Sequence, residues 1–572
     1  MKKKIIVILG VVALILVLLL LYCNISNSPQ KMFEYSECEG GISIDTYKGI
    51  NKKVKIPDQI NNKPVVSIGI GAFEDKILVT DVILPETIET INSKAFSGTH
   101  ISSFNIPAKV TKIDDSVFSG CEYLKKVNIP EGVTSIGNSA FYGCSSLTEI
   151  TLPESIETIG YGAFAEDKAL NVVNFPDNLK MIGADAFLEC PITNIFPDED
   201  FVIIGKGILY KYNGKDDMVV VPDEVKSIAG YAFYESKAKE IDVSGVEYIG
   251  EGAFAYCSEL EKIELPQNAK VDSKTLFYSC SSLKEVELPV GCELGKGIFS
   301  NCTNLKKVVM NSEPEIIAEV AFYNCSSLEE FKIPQSVEEI RNSAFKESGI
   351  KNIEIPSKVK IIPENCFFSC KALEKVVLPD SITEIGKSAF NGCSMLSEIN
   401  FPGNLVLIDE RAFFNSAIKQ ANLPDTLVNI GESVFGECKM LENISFSSKL
   451  TFIPFGCCEE CKNLKEVVIP DTCVEIGKNA FYECSDLEKV YLPDGLTKID
   501  LNAFAATNIM SVYLPDSLND FQDQCFISEG KNVTLFYTNN CAAKQQIEDA
   551  YHKWVVHDYY NIQTVSGREE AQ

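Results

Sequence analysis

Apolar and polar positions recur along this chain with a beat of 22 or 23 residues. The unit from Leu124 to Cys144 reads Leu-Lys-Lys-Val-Asn-Ile-Pro-Glu-Gly-Val-Thr-Ser-Ile-Gly-Asn-Ser-Ala-Phe-Tyr-Gly-Cys. Val127 and Ile129 alternate with Lys126 and Asn128, the period-two pattern of a short strand with one buried face. Pro130 has no amide hydrogen to give a ladder, so the strand ends there. Val133 and Ile136 predict a second extended segment, and Gly137 is read as the residue that permits the following turn. Asn138 or Ser139 is positioned to cap a short helical turn that carries Ala140, Phe141 and Cys144 inward. One unit is therefore one coil: strand, bend, second strand, helical turn.

The same unit returns in phase. Pro107, Pro130, Pro153 and Pro176 stand 23 apart, as do Phe118, Phe141, Phe164 and Phe187. Phe322, Phe345, Phe367, Phe390, Phe413 and Phe435 keep the beat, Cys458 takes the aromatic position one period on, and Phe481, Phe504 and Phe526 resume it. A fixed period of this size means a stacked array in which each unit buries its apolar face only against its neighbours. The expected fold class is an α+β solenoid: a right-handed coil of about 20 repeats, mostly short strands with short helical turns, behind an N-terminal transmembrane helix.

Blocks such as Leu147-Thr148-Glu149-Ile150-Thr151-Leu152-Pro153 with Ile159-Gly160 and Ala163-Phe164 resemble the BspA-like leucine-rich repeats (Treponema pallidum type) of bacterial and protist surface proteins, over about residues 40 to 526. Proline stands where the ordinary leucine-rich repeat has Asn or Cys, the mark of this subclass. The resemblance implies a cell-surface protein and the word adhesion. The residues themselves imply a long binding surface.

Departures from phase mark the ends and one interior site. Residues 1–23 are read as a membrane anchor: Lys2, Lys3 and Lys4 precede an apolar run from Ile5 to Tyr22, close to the ~20 residues a bilayer requires. That places the N-terminus in the cytoplasm and the repeats outside. Acylation at Cys23, after Leu20-Leu21-Tyr22, and ordinary cleavage with secretion are the alternatives, and all three export the chain. Residues 24–36 are a spacer, 37–84 an N-terminal capping unit, 85–197 and 222–527 repeats, 528–560 a C-terminal cap and 561–572 a tail. Residues 198–221 are a remodelled repeat, with Tyr210 in the aromatic register 23 residues from both Phe187 and Phe233 and a hairpin turn expected at Asn213-Gly214.

Composition narrows the function. A net charge of -28 argues against nucleic acid, whose binding draws on lysines and arginines. Of 21 cysteines, many fall three residues after the aromatic position, where Thr99, Asp167, Ser236 and Ser348 also occur. Such a slot asks for a small side chain, so a ladder of buried thiols is expected rather than a disulfide framework. Cys457, Cys458, Cys461 and Cys473 cluster, but only three histidines exist to complete a zinc site, and neither metal nor cofactor is expected.

No Gly-x-Ser-x-Gly elbow, phosphate-binding loop or His-Glu-x-x-His occurs, so the chain is read as non-catalytic. Side chains that alternate with the buried strand positions form the candidate binding face. Glu240, Asp242, Glu264, Glu285 and Glu287 concentrate acid across adjacent repeats, and Lys489, Tyr491, Ser511 and Tyr513 bring neighbouring tyrosines near the C-terminal end. The expected partners are the membrane, through the N-terminal helix, and an extracellular protein or glycan. A scaffold without a soluble ligand and a carbohydrate-active enzyme are the rival readings.

Overall fold

A computed structural model describes residues 32–194, 199–528, 531–554 and 559–571. The anchor expected over residues 1–23 lies outside the described residues, and none of the described helices is long and apolar enough to cross a membrane. The chain divides into two compact units, one of residues 1–215, 221–234 and 245–253, the other of residues 216–220, 235–244 and 254–572.

In the first unit, short strands stack in parallel with their repeat mates. Lys126–Asn128 pairs with Ser103–Asn105, and Ser135–Ile136 pairs with Lys112–Ile113 on one side and Thr158–Ile159 on the other. The repeated phenylalanines form the core: Phe118 to Phe141, Phe141 to Phe164 and Phe164 to Phe187 are stacked at 5.3, 5.2 and 5.3 Å. In the second unit the same column runs through Phe345, Phe367, Phe390 and Phe413, each 5.3 Å from the next. Stacking follows from the period, because one residue per coil, always in one place, meets its own copy above and below.

The helical turns expected in each coil do not form. Across Asn138–Cys144 the amides alternate in direction: Ser139, Phe141 and Gly143 donate to Tyr161, Ala163 and Ala165 of the next coil at 2.8, 2.8 and 2.9 Å, while Tyr142 and Cys144 close turns back to Ser139 and Phe141. A helix would spend every amide within its own segment. Here every second amide joins two coils, which requires left-handed backbone at Ser139 (φ 51) and Gly143 (φ 70). For an ordinary residue that conformation costs about 1–2 kcal/mol, and the inter-coil hydrogen bonds offset it. The α+β expectation is thus corrected to a solenoid of strands and turns. The described helices are a single 3-10 turn at Pro191–Asn194, the cap helix Lys544–Trp554 and the short Arg568–Ala571.

Gly137 is also reread. Its backbone is not left-handed; a side-chain β-carbon there would stand 2.7 Å from backbone atoms of Asp114 and Asp115 in the preceding coil. Close stacking, rather than a turn, excludes other residues.

The interior departure resolves into a copy of the first hairpin. Phe33–Cys38 runs antiparallel to Gly41–Tyr47 with a bulge after Glu34, and Phe201–Ile204 runs antiparallel to Ile208–Tyr212 with a bulge after Val202. Tyr47 donates its amide to Ala72 at 2.8 Å and stacks 5.0 Å from Phe73; Tyr212 donates to Ala232 at 2.8 Å and packs 5.1 Å from Phe233. Tyr212 therefore takes the aromatic register expected of Tyr210, whose ring stands edge-on to Phe187 at 6.2 Å. The hairpin turns at Gly205 and Gly207 (φ 58 and 99), not at Asn213-Gly214. Phe33, buried against Tyr47, also shows that part of the expected spacer is structured.

The cysteine ladder is buried, its sulfurs free thiols. Cys302, Cys325, Cys370 and Cys393 donate to the carbonyls of Phe277, Phe299, Phe345 and Phe367 at 3.0, 3.1, 2.9 and 3.1 Å. A donor suits the slot as well as a small side chain: Thr99 fills it and donates to the Phe96 carbonyl of its own coil at 2.8 Å, while Asp167 is an exception whose carboxyl oxygens have no hydrogen-bond partner. The clustered cysteines keep to the same rules: Cys458 replaces a core phenylalanine, and Cys461 donates to the Phe435 carbonyl at 3.1 Å.

Candidate binding face

Most three-residue strands read exposed, buried, exposed, because the middle residue enters the core and its two neighbours are turned outward. Parallel pairing in register then lines up equivalent positions of successive coils. In the second unit Glu240, Ile241 and Asp242 lie opposite Lys262, Ile263 and Glu264, and Glu285 and Glu287 opposite Lys307 and Val309.

The structure sorts the five acidic residues into two columns of different character. Glu240 and Glu285 share theirs with Lys262 and Lys307, and Lys262 reaches Glu240 at 3.6 Å and Glu264 at 2.6 Å. Glu264 is the first cause of the upward shift of the Lys262 ammonium, as a hydrogen-bond and charge partner. Asp242, Glu264 and Glu287 form the other column, where Glu287 accepts a 2.7 Å hydrogen bond from Asn311. Lys262 and Asn311 therefore answer much of the acid from within the protein. Among the described residues no group of histidine, cysteine and carboxylate side chains is arranged to hold a metal ion.

The tyrosine end carries a continuous apolar column. Val468 lies opposite Tyr491, and Tyr513 opposite Phe536, so the column reads Val468, Tyr491, Tyr513, Phe536. Val468 is 58% and Tyr491 43% exposed. Lys489, Tyr491, Ser511 and Tyr513 all line one groove of about 640 Å³, together with Phe536, Arg568 and Ala571. Partial burial raises the Tyr513 phenol, Asp516 adds to the effect, and the Arg568 guanidinium opposes it.

Two contributors escaped the sequence reading. Phe536 follows Tyr513 by 23 residues, so the period points to it even though it lies in the expected C-terminal cap, beyond the repeats of residues 222–527. Arg568 had no local signal. It lies in the segment expected to fray, yet Tyr560–Thr564 extends the sheet beside Val533–Tyr537, and Arg568 returns to the Leu492 carbonyl, 76 residues earlier.

The fold and its face define a class: a repeat protein whose parallel short strands display in-register columns of exposed side chains. Six copies of the BspA type leucine rich repeat region match, at residues 47–168, 89–215, 134–243, 203–327, 292–419 and 406–534. The chain belongs to that family. Similar solved structures include a leucine-rich repeat protein from Bacteroides ovatus, 21% identical over 94% of this chain and 98% of that one, with a TM-score of 0.25. A leucine rich cell surface protein from Faecalibacterium prausnitzii is 20% identical over 86% and 95%, with a TM-score of 0.21. The leucine rich repeat protein of T. pallidum is 22% identical over 49% and 90%, with a TM-score of 0.20. No curated protein matches the chain.

Proposed function

We propose that this protein is an extracytoplasmic, non-catalytic binding protein, anchored through its N-terminal apolar segment, that adheres to a protein or glycan through its exposed strand face. One observation supports the reading most: the columns from Val468 to Phe536 repeat an outward apolar position on adjacent coils, which suits an extended macromolecular ligand better than a small substrate. Exposed aromatic side chains supply large contact area at low entropic cost. Membership of a repeat family, rather than a catalytic one, supports the same reading.

The test is an array of extracellular matrix proteins and glycans probed with the exported part of the chain, residues 31 to 572. Saturable binding that persists at physiological salt and weakens in Tyr491→Ala with Tyr513→Ala supports adhesion through this face. A blank array, or binding untouched by the double substitution, removes it and leaves the scaffold. Degradation of the repeats by protease added to intact cells checks the location.

A further inference from the structure

The C-terminal segment does not hang free. Arg568 lays its guanidinium against the Tyr513 ring, 5.2 Å from the centroid. One of its terminal nitrogens, Nη2, donates to the Leu492 carbonyl and to Asp494 Oδ1, each at 2.6 Å. Ser566 accompanies it, donating from its amide and hydroxyl to Glu570 at 2.6 and 2.7 Å and so closing the segment into a turn. An aromatic plane, a carbonyl and a carboxylate converging on one planar cation form a receptor for arginine; a lysine ammonium has no planar face to lay on the ring.

We propose that the column Val468, Tyr491, Tyr513 and Phe536, with Asp494 at its edge, is a docking strip for an arginine-bearing polypeptide segment, and that Ser566–Ala571 is its resident occupant, displaced when such a ligand arrives. The proposal rests on the binding reading above and gives it a ligand class.

The resident occupant fits imperfectly, which is what makes displacement feasible. Arg568 Nε is buried with no hydrogen-bond partner, a cost that a better-placed guanidinium avoids. From Gly567 to Ala571 the segment holds no large apolar side chain, and Tyr491, which lines the same groove, stays exposed, as does Val468 one coil further along the column. It also carries two carboxylates, Glu569 and Glu570, next to Arg568, in a chain of net charge -28. A basic segment with an apolar residue next to its arginine would cover the column and meet the opposite charge.

The experiment measures fluorescence anisotropy of a labelled Ala-Leu-Arg-Gly-Leu-Ala peptide, and of its lysine counterpart, on the detergent-solubilised full chain. If the strip is occupied about nine-tenths of the time, Arg568→Ala raises the apparent affinity for the arginine peptide about tenfold. Adding Asp494→Asn or Tyr513→Ala to Arg568→Ala reverses the gain, and the lysine peptide binds more weakly throughout. Unchanged affinity in Arg568→Ala, equal binding of the two peptides, or binding of neither overturns the proposal. Hydrogen exchange gives a readout independent of any ligand: amides 568–571 exchange more slowly in the wild type than in Tyr513→Ala, and equal rates remove the resident segment. A protein ligand found on the array while the peptides fail sinks this inference and leaves the adhesion reading standing. Peptide binding with a blank array does the reverse.

Discussion

Replacing Asp167 by asparagine isolates one buried charge in the cysteine ladder. Asp167 occupies the slot between Cys144 and Cys190 with no exposed surface, and neither carboxyl oxygen has a hydrogen-bond partner. Burial pushes its carboxyl up to about 9 from an ordinary 3.8, and the nearby Cys144 backbone offsets only part of this. In the unfolded chain the group loses its proton near pH 3.8; in the folded chain it keeps the proton until about pH 9. Below the lower value both states are protonated and the group imposes no ionisation penalty. Between the two, the unfolded state is the one that ionises, so stability falls by about 1.4 kcal/mol for each pH unit, and above about pH 9 the loss is constant. At pH 7 the penalty is about 4 kcal/mol, within a factor of two. Asparagine is nearly isosteric and cannot ionise, while Asp167→Cys restores the thiol of neighbouring coils. Because an array unfolds in parts, the assay is native-state hydrogen exchange at residues 164–170, alongside urea midpoints, from pH 4 to pH 8. Both variants gain on the wild type with rising pH and converge with it near pH 4, apart from a constant offset. A difference that stays flat over this range refutes the buried, protonated carboxyl.

Phe390→Ala, with rings 5.3 Å away on both sides, is expected to cost about 3–5 kcal/mol locally, read as lost exchange protection in its own and adjacent coils. Gly137→Ala is expected to destabilise by about 1–3 kcal/mol although its backbone suits alanine, because the added carbon meets backbone at 2.7 Å; a neutral result in thermal melts contradicts the close-stacking account. Cys393→Ser keeps a donor toward the Phe367 carbonyl, whereas Cys393→Ala leaves that carbonyl with the Cys370 amide alone and costs about 1 kcal/mol more in urea denaturation. Burial pushes the thiols of Cys121 and Cys370 up to about 11 and about 12, so both stay unreactive to thiol reagents at neutral pH until the protein is denatured. A chain starting at Glu199, led by the Phe201–Tyr212 hairpin, is expected to fold with a cooperative melt, while one starting at Pro222 exposes Ile228 and Phe233 and aggregates.

The sequence by itself determined what repeats. A side chain that recurs every 22 or 23 residues must meet its own copy, so Phe141 on Phe164, Cys393 in its buried slot and Tyr491 beside Tyr513 all follow from position alone. The arithmetic carried the strands, the core and the outward columns because stacking is a nearest-neighbour relation. Whatever depended on backbone direction or on distant residues needed the tertiary structure. The segment Asn138–Gly143 has helix-like spacing, yet its amides bond alternately within and between coils, and only the presence of the next coil decides against a helix. Tyr212 rather than Tyr210 takes the aromatic place because a bulged hairpin adds residues that a simple count does not see. Arg568 reaches Leu492 across 76 residues, and no local pattern records a contact between residues so far apart in the chain.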